Sequence, residues 1–224
     1  MGTLYIIATP IGNLEDFSFR ALRILQEVDL VLCEDTRVTK KLLAHYKIGK
    51  SLLSYHQHSK EGKMQEILDM LCQGKNLALV TDAGTPGVSD PGNELVAFLL
   101  EKKPGMRVVP IPGPSAVVAL ASVAGIPMDK FLFMGYPPHK KGRKKFFEEV
   151  VQSVHPVIFY ESPFRVLKSL REIYSLNPSV FAVVGRELTK KFETVYRGTI
   201  QKILAQLKEE KPRGEFVIVV YKEK

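Results

Sequence analysis

Residues 77–102 indicate the fold class most directly; they read LALVTDAGTPGVSDPGNELVAFLLEK. The stretch opens with an apolar run of strand length, Leu77–Thr81, and continues into a turn rich in glycine and proline. From Pro91 the pattern is helical, with Asp90 as the predicted N-cap and the proline at the first helical position, where its missing N–H needs no partner. A strand, a tight turn and a helix in this order form the unit from which parallel α/β sheets are built.

The same alternation continues on both sides of this stretch. Upstream it predicts strands and helices in turn, at Thr3–Thr9, Ser18–Gln26, Leu30–Glu34, Thr36–Tyr46, Leu52–Tyr55 and Ser59–Gln73. Continuous apolar strands joined by helices indicate a mostly parallel sheet with both faces covered. After Pro112 the predicted strands lie closer together, which indicates a mixed sheet, and a helix is expected to start at Pro163 with Ser162 as its cap. We therefore expect two α/β domains, residues 1–112 and 113–224, clamped over a shared cleft.

The charge of the chain divides at the same place. The 224 residues are 45% hydrophobic and 25% charged, a composition that excludes a disordered chain. The net charge is +8, yet residues 1–112 hold 13 Lys or Arg and 13 Asp or Glu, whereas residues 113–224 hold 19 and 11. A basic second half indicates an anionic partner for that half, and nucleic acid is the commonest such partner.

Cysteines and targeting signals exclude several classes of protein. The two cysteines, Cys33 and Cys72, form no C-x-x-C pair and no disulfide framework, so we expect buried structural thiols. The uncharged stretch Val108–Met128 is long enough to span a bilayer, but its four prolines argue against a continuous spanning helix. With no signal peptide recognisable, we expect a cytoplasmic protein and no membrane contact.

Three turns rich in glycine and proline follow predicted strands, at Thr9–Asn13, Thr81–Gly92 and Pro110–Ala116. Ligands of open α/β sheets bind at the carboxyl ends of the strands, where these turns lie. Because the turns offer carbonyl acceptors, the carboxylates of Asp82 and Asp90 and almost no cations, they suit a ligand with donor hydroxyls and a positive charge. The alternative is that they are merely tight connections. The fingerprints of P-loop, dinucleotide-binding and serine-hydrolase sites are absent.

Two polar segments are further candidates. Glu34–Arg37 stands at the end of a predicted strand. One interpretation is that Asp35 or Thr36 caps the helix that follows; the other is that these polar residues are active-site groups. The run His139–Lys145 holds five cations. It is either a solvated helix face or an RNA contact, and the aromatic residue and two prolines just before it favour consideration of RNA. His56 and His58 have no further metal ligands around them in sequence, so we predict no metal site.

Six motifs together resemble one known family. They are IATPIGNLED from Ile7, CEDTR from Cys33, TDAGTPGVSDPG from Thr81, IPGPSA from Ile111, FYESPFR from Phe159 and GRELTKKFE from Gly185. The motifs are long and span nearly the whole chain. On these residues the chain resembles the ribosomal RNA small-subunit methyltransferase I family, within the tetrapyrrole methylase-like superfamily.

The resemblance implies a class III methyltransferase with two α/β domains and S-adenosylmethionine in the cleft between them. It implies a homodimer that methylates the ribose 2′-hydroxyl of a cytidine in the decoding region of 16S rRNA, free or within the small ribosomal subunit. It implies cofactor contacts at Pro10, Ile11, Gly12, Asp82, Ala83, Gly84, Val88, Ser115, Ala116, Glu161, Glu187 and Phe216. We take Asp35 and Arg37 as catalytic candidates, one for the proton and one for backbone or oxyanion contact, with their roles left open. RNA-binding candidates are Lys40, Lys140, Lys141, Arg143, Lys144, Lys145 and Arg165.

One departure and two alternatives accompany this interpretation. Members of the family commonly continue into a C-terminal helical extension, whereas this sequence ends just after the strand expected at 215–221. We therefore expect either that the body of the protein binds the RNA or that RNA binding is weaker. A relative of the same fold acting on a tetrapyrrole or on a modified histidine of a protein is one alternative. The other is a non-catalytic RNA-binding protein.

Overall fold

The computed structural model describes residues 1–56, 59, 61–210 and 213–223, with the backbone alone at 209 and 210. The chain divides into two compact units, Met1–Ser115 and Ala116–Lys224. Each unit contains a five-stranded sheet and helices, which confirms the predicted α/β class. This division lies close to the boundary expected from the sequence after residue 112.

The first unit is built on a parallel sheet. Its strands are β1 (Thr3–Ile7), β2 (Leu30–Cys33), β3 (Leu52–Ser54), β4 (Leu77–Leu79) and β5 (Arg107–Ile111), in the order β3-β2-β4-β1-β5. The four pairings between neighbours are all parallel. Because the strands run in one direction, their carboxyl ends share one edge of the sheet.

Helices cover both faces of this sheet. They are α1 (Phe19–Glu27), α2 (Thr36–His45), α3 (Glu61–Cys72) and α4 (Asn93–Lys102), with a short 3-10 turn at Leu14–Asp16. One apolar cluster packs Leu25 against Val31 and Ile7, and a second packs Leu71 and Leu99 against strand residues of the other face. Burial on both faces explains why the strands are apolar without alternation.

Two details of the first unit differ from the sequence prediction. Helix α4 begins at Asn93 instead of Pro91, since the Pro91 carbonyl accepts a hydrogen bond from Gly87 N (3.2 Å) and so belongs to the preceding turn. The N-cap is Gly92, at φ 141° and without a side-chain cap, so the prediction for Asp90 is wrong. The prediction of two buried thiols is also wrong for Cys72, which is exposed one position past the buried Leu71.

The second unit is built on a mixed sheet. Its strands are β6 (Leu132–Phe133), β7 (Val157–Glu161), β8 (Phe181–Arg186), β9 (Thr194–Thr199) and β10 (Phe216–Tyr221), in the order β6-β7-β10-β8-β9. The β6–β7 pair is parallel and the other three pairs are antiparallel. Its helices are α5 (Ala116–Val123), α6 (Arg143–Gln152), α7 (Val166–Leu176) and α8 (Ile200–Glu210), and α6, α7 and α8 pack on the sheet around one apolar cluster.

The start of α7 differs from the sequence prediction. Ser162–Arg165 forms a turn, closed by a hydrogen bond from Arg165 N to Ser162 O (3.0 Å), and the helix starts at Val166. The uncharged stretch Val108–Met128 forms most of β5 and all of α5. None of the helices in the part of the chain that the structure describes is long and apolar enough to cross a membrane.

Neighbouring leucines of α4 give a matched test of this packing. Leu99 is fully buried, whereas Leu100 is 45% exposed. We expect Leu99→Ala to lower the free energy of unfolding by about 2–5 kcal/mol, because it leaves a cavity in the core. Leu100→Ala should change it by less than about 0.5 kcal/mol, as surface substitutions usually do. Urea denaturation of both variants checks this, and equal losses would contradict the packing described.

Candidate functional site

The carboxyl edge of the first sheet brings two of the three turns together. Thr9, which follows β1, and Gly84, in the turn after β4, form an isolated antiparallel bridge with hydrogen bonds of 2.8 and 3.1 Å. The Thr9 hydroxyl also donates to the carbonyl of Thr81 (3.1 Å). The predicted cofactor residues at 10–12 and 82–84 are therefore held side by side.

The third turn joins the same group. Ala8 N donates to Ile111 O (3.3 Å), and the Thr85 hydroxyl donates to Pro114 O (3.2 Å). Gly113 lies so close to Ala8 that a Cβ at this position would meet the Ala8 Cβ at 3.1 Å. All three turns predicted to carry ligand chemistry thus meet at one edge of the first unit, which tight connections alone do not require.

Glycine is needed in the second turn for conformational reasons. Gly84 has φ +87°, a left-handed conformation that side chains disfavour, and a Cβ there would lie 3.6 Å from the Ile11 side chain. Val88 is 39% exposed in the same turn, and its N–H donates to Thr85 O (3.3 Å). This turn therefore combines a glycine-dependent backbone with a partly exposed apolar side chain at the same edge.

Carboxylates surround this edge. Burial raises the pKa of Glu34 and of Asp82; the charge of Asp82 raises the pKa of Glu34 further, and the charge of Asp35 raises that of Asp82. Asp90 is half-buried, and its pKa is raised to about 6 by burial first and then by the charges of Glu34 and Asp82. Mutual repulsion of this kind makes the edge receptive to a cation or to hydrogen-bond donors.

Asp35 and Arg37 form a close ion pair beside these acids. Arg37 Nη2 lies 2.6 Å from Asp35 Oδ2, and Nε donates to both carboxylate oxygens. Asp35 also accepts from Arg37 N (2.8 Å) and so caps α2, while its own N–H donates to Asp82 Oδ1 (3.3 Å). The hydrogen bonds from Arg37 lower the pKa of Asp35 to about 2. The sequence left a cap and an active-site role as alternatives for Asp35; the structure shows that it caps the helix while holding an Arg37 that is 85% exposed.

The hydrogen-bond acceptors at this edge suit S-adenosylmethionine. That molecule carries a sulfonium, an ammonium and ribose hydroxyls, which carboxylates and carbonyls bind better than cationic, phosphate-binding side chains do. Within residues 1–56, 59, 61–210 and 213–223, no group of three or more His, Cys, Asp or Glu side chains is arranged to hold a metal ion. His58 lies outside the described residues, so the histidine pair considered from the sequence is not defined here.

The second unit brings its three predicted cofactor residues to one end of its own sheet. In the ladder Phe216 pairs with Glu161 on one side and with Arg186, the neighbour of Glu187, on the other. Glu187 has φ 50°, and its carboxylate accepts from Lys190 Nζ and from Glu215 N, both at 2.9 Å. Their contact with the cofactor, like that of Ser115 and Ala116 at the division between the units, stays a prediction.

The Glu161 carboxylate is already bound inside the second unit. It is 1% exposed and accepts from Ser162 N (2.8 Å) and from the Ser169 hydroxyl (2.5 Å). Arg165 Nε lies 2.9 Å from one carboxylate oxygen, and Arg143 Nη1 lies 3.8 Å from the other. Sequence reasoning missed this network because nothing in the spacing pairs Ser169 with Glu161.

This network includes two arginines that the sequence suggested as RNA contacts. Arg143 is buried, with its guanidinium donating to Glu172 Oε2 (2.8 Å) and to Ser169 Oγ (2.8 Å). Arg165 is 19% exposed and donates to Ser162 Oγ and Pro137 O as well as pairing with Glu161. The buried guanidinium of Arg143 argues against its predicted RNA contact, whereas Arg165, which is partly exposed, stays a prediction. The other candidates are exposed and stay predictions; they are Lys40, Lys140, Lys141, Lys144 and Lys145.

Comparison with known families agrees with this arrangement. The model of the family Tetrapyrrole (Corrin/Porphyrin) Methylases matches residues 3–204. The chain belongs to this family. Its resemblance to the superfamily, inferred from six motifs, is thereby confirmed.

Individual relatives show a more specific similarity than the family model does. The chain is 44% identical to the ribosomal RNA small subunit methyltransferase I of Halalkalibacterium halodurans, over 98% of this chain and 75% of that protein. It is 40% identical to the protein of the same name from Thermotoga maritima, over 98% of both chains. Among solved structures, diphthine synthase aligns with a TM-score of 0.75 at 13% identity, covering 100% of this chain and 91% of that one, which shows a shared fold alone.

The raised pKa of Asp90 predicts a pH-dependent stability. Between its unfolded pKa of about 4 and its folded pKa of about 6, the folded protein binds more protons than the unfolded chain. This group therefore makes stability fall as pH rises through that range. We expect Asp90→Asn to raise the thermal midpoint relative to the wild type more at pH 7 than at pH 4.

Scanning calorimetry at both pH values measures this difference. The matched control is Asp69→Asn on the exposed side of α3, which we expect to change the midpoint little at either pH. An Asp90→Asn effect of the same size at both pH values would contradict the raised pKa.

Proposed function

We propose that this protein transfers a methyl group from S-adenosylmethionine to the ribose 2′-hydroxyl of a cytidine in the decoding region of 16S rRNA. The observation that carries the proposal is the 40–45% identity, over nearly the whole chain, to proteins named ribosomal RNA small subunit methyltransferase I. The meeting of three ligand-type turns beside Asp35 and Arg37 supports it independently.

The carboxyl edge of the first sheet is proposed to hold the cofactor. When bound, S-adenosylmethionine supplies an electrophilic methyl group on a sulfonium. Asp82 and the backbone of the 82–84 turn would bind its donor groups, and Ile11 and Val88 would pack against its apolar parts. The main contribution of the protein to an in-line displacement is alignment, so rigid turns joined by backbone hydrogen bonds are suited to it.

The geometry favours one of the two role assignments that the sequence left open. A carboxylate with a pKa near 2 is a weak base at neutral pH, so Asp35 is poorly matched to accepting the hydroxyl proton. Arg37 is mostly exposed, and its orientation is fixed by Asp35. We assign Arg37 to contact with the acceptor, through the RNA backbone or the ribose oxygen as its proton is lost to solvent, and Asp35 to orienting Arg37.

Three variants test this division of roles between catalysis and cofactor binding. We expect Asp35→Asn and Arg37→Gln to lower kcat about 100-fold or more while the Kd for S-adenosylmethionine stays close to that of the wild type. Asn is isosteric with Asp and still caps a helix, which keeps α2 intact. Asp82→Ala should instead weaken cofactor binding about 10-fold or more, because it removes a charged acceptor.

Isothermal titration calorimetry for the cofactor and a radiolabel assay for transfer separate these effects. Loss of cofactor binding in both the Asp35 and Arg37 variants would assign Glu34–Arg37 to the cofactor and contradict the proposed roles.

A competition between acceptors tests the substrate. Radiolabelled S-adenosylmethionine is offered with undermethylated small subunits, free 16S rRNA, a porphyrinogen and a diphthine-type protein acceptor. We expect label in the ribosomal RNA, at a cytidine 2′-hydroxyl, and in no other acceptor. Label in the porphyrinogen or the protein would replace the proposed acceptor, and label in none would favour an RNA-binding protein without activity.

Two further properties implied by the resemblance belong to the same proposal. They are a homodimer and a cytoplasmic location, where ribosomal subunits are found. Sedimentation equilibrium at micromolar concentration tests the first, with a mass of twice 25.2 kDa expected.

A further inference from the structure

A groove lies on the second unit between the start of α6 and the exposed side of α7. Its volume is about 610 Å³, within the range of about 300–1,000 Å³ typical of ligand sites. Four of its lining residues are exposed cations from two separate segments, namely Lys140, Lys144, Lys168 and Arg171. The groove is therefore a basic surface with two sides rather than a single charged helix face.

The floor of the groove is fixed by the buried Arg143. Its guanidinium lies over the Phe147 ring at 4.8 Å from the ring centre and donates to Glu172 at 2.8 Å. This contact ties the first turn of α6 to α7, so the two cationic walls are held at a set separation. An arginine that the sequence suggested as an RNA contact thus shapes the groove instead.

The charge of the groove is almost uncompensated. Its lining includes five cations and one carboxylate, a net charge of +4 with His139 neutral. That carboxylate, Glu172, is already paired with Arg143 and lies 3.8 Å from Lys168 Nζ. Lys144 Nζ also lies 3.7 Å from Glu148 Oε1, but this pair and that of Lys168 are long, exposed contacts, which leaves the ammonium and guanidinium groups able to bind an external anion.

The groove separates the cations of the basic run into two classes. Lys140, in the turn before α6, and Lys144, in the first turn of α6, line the groove, whereas Lys141 and Lys145 do not. Both pairs are exposed and carry the same charge. A general attraction of polyanions would depend on both pairs, but a local contact would depend on the first pair alone.

We propose that this groove binds consecutive phosphates of the RNA substrate, with Lys140 and Lys144 on one side and Lys168 and Arg171 on the other. The inference rests on the proposed function, because it takes ribosomal RNA as the partner. It adds two residues of α7 to the RNA contact and removes Lys141 and Lys145 from it. Cations on two walls fit a chain of phosphates because each phosphate offers oxygens in more than one direction.

The test compares two double variants with equal loss of charge. Lys168→Gln/Arg171→Gln alters the groove, and Lys141→Gln/Lys145→Gln alters the same basic region outside it. Glutamine retains helix propensity, so the two helices should stay folded, as circular dichroism will verify. Binding of the full chain to free 16S rRNA is measured without cofactor by filter binding, at several salt concentrations.

We expect the groove variant to lower the slope of log affinity against log salt concentration by about 1.4–1.8, since each lost phosphate contact contributes about 0.7–0.9. The Lys141/Lys145 variant should stay near the wild-type slope. Lys168→Arg/Arg171→Lys, which retains both charges, should restore binding. Equal losses in both double variants, or no loss in the groove variant, would overturn the inference.

The radiolabel assay keeps this test separate from that of the proposed function. If the wild type methylates 16S rRNA and the groove variant matches its affinity and kcat/KM, the groove inference fails while the function stands. If the wild type transfers no methyl group but its RNA affinity depends on the groove residues, the proposed function fails and the groove stands as an RNA contact.

Discussion

The pairing of β1 between β4 and β5 is the constraint on which the candidate site depends. It is parallel on both sides, so the turns after these three strands leave from the same edge of the sheet. The Thr9–Gly84 bridge then extends the β1–β4 contact beyond the sheet itself, and Gly113 packs on Ala8 from the other side. The position of the candidate cofactor residues follows from the strand order, and side-chain hydrogen bonds such as those of Thr9 and Thr85 hold the turns together.

A buried charge has the corresponding role in the second unit. The Glu161 carboxylate at the end of β7 is satisfied by Ser162, Ser169 and Arg165, with Arg143 close by. Removing one partner of such a group leaves an uncompensated charge in the interior, which is more costly than losing a surface pair. The network therefore fixes the turn after β7 and the start of α6 together, and with them the walls of the basic groove.

The sequence predicts the parallel sheet, the mixed sheet and the three turns because each depends on local pattern. Apolar runs without alternation indicate strands buried on both faces. The glycine at position 84 indicates a turn with a backbone conformation that other residues disfavour. Long-range partners decide the rest. Pro91 leaves the helix because its carbonyl bonds to Gly87, and Arg143 leaves the basic surface because Ser169 and Glu172 lie beneath it. A linear run of cations does not reveal which of its members faces inward.

The distribution of charge indicates which surfaces of each unit can bind a large anion. Burial, with added repulsion from neighbouring carboxylates, raises the pKa values of Glu34, Asp82 and Asp90, so phosphates placed beside these acids would be disfavoured. At that edge Arg37 is a cation held out toward solvent, and its partner Asp35 offsets much of its charge. A neutral ribose hydroxyl is tolerated there far better than a phosphodiester. With Arg37 contacting at most the phosphate beside the reacting ribose, the rest of the RNA backbone needs cations elsewhere, and the groove between α6 and α7 offers four of them on two walls.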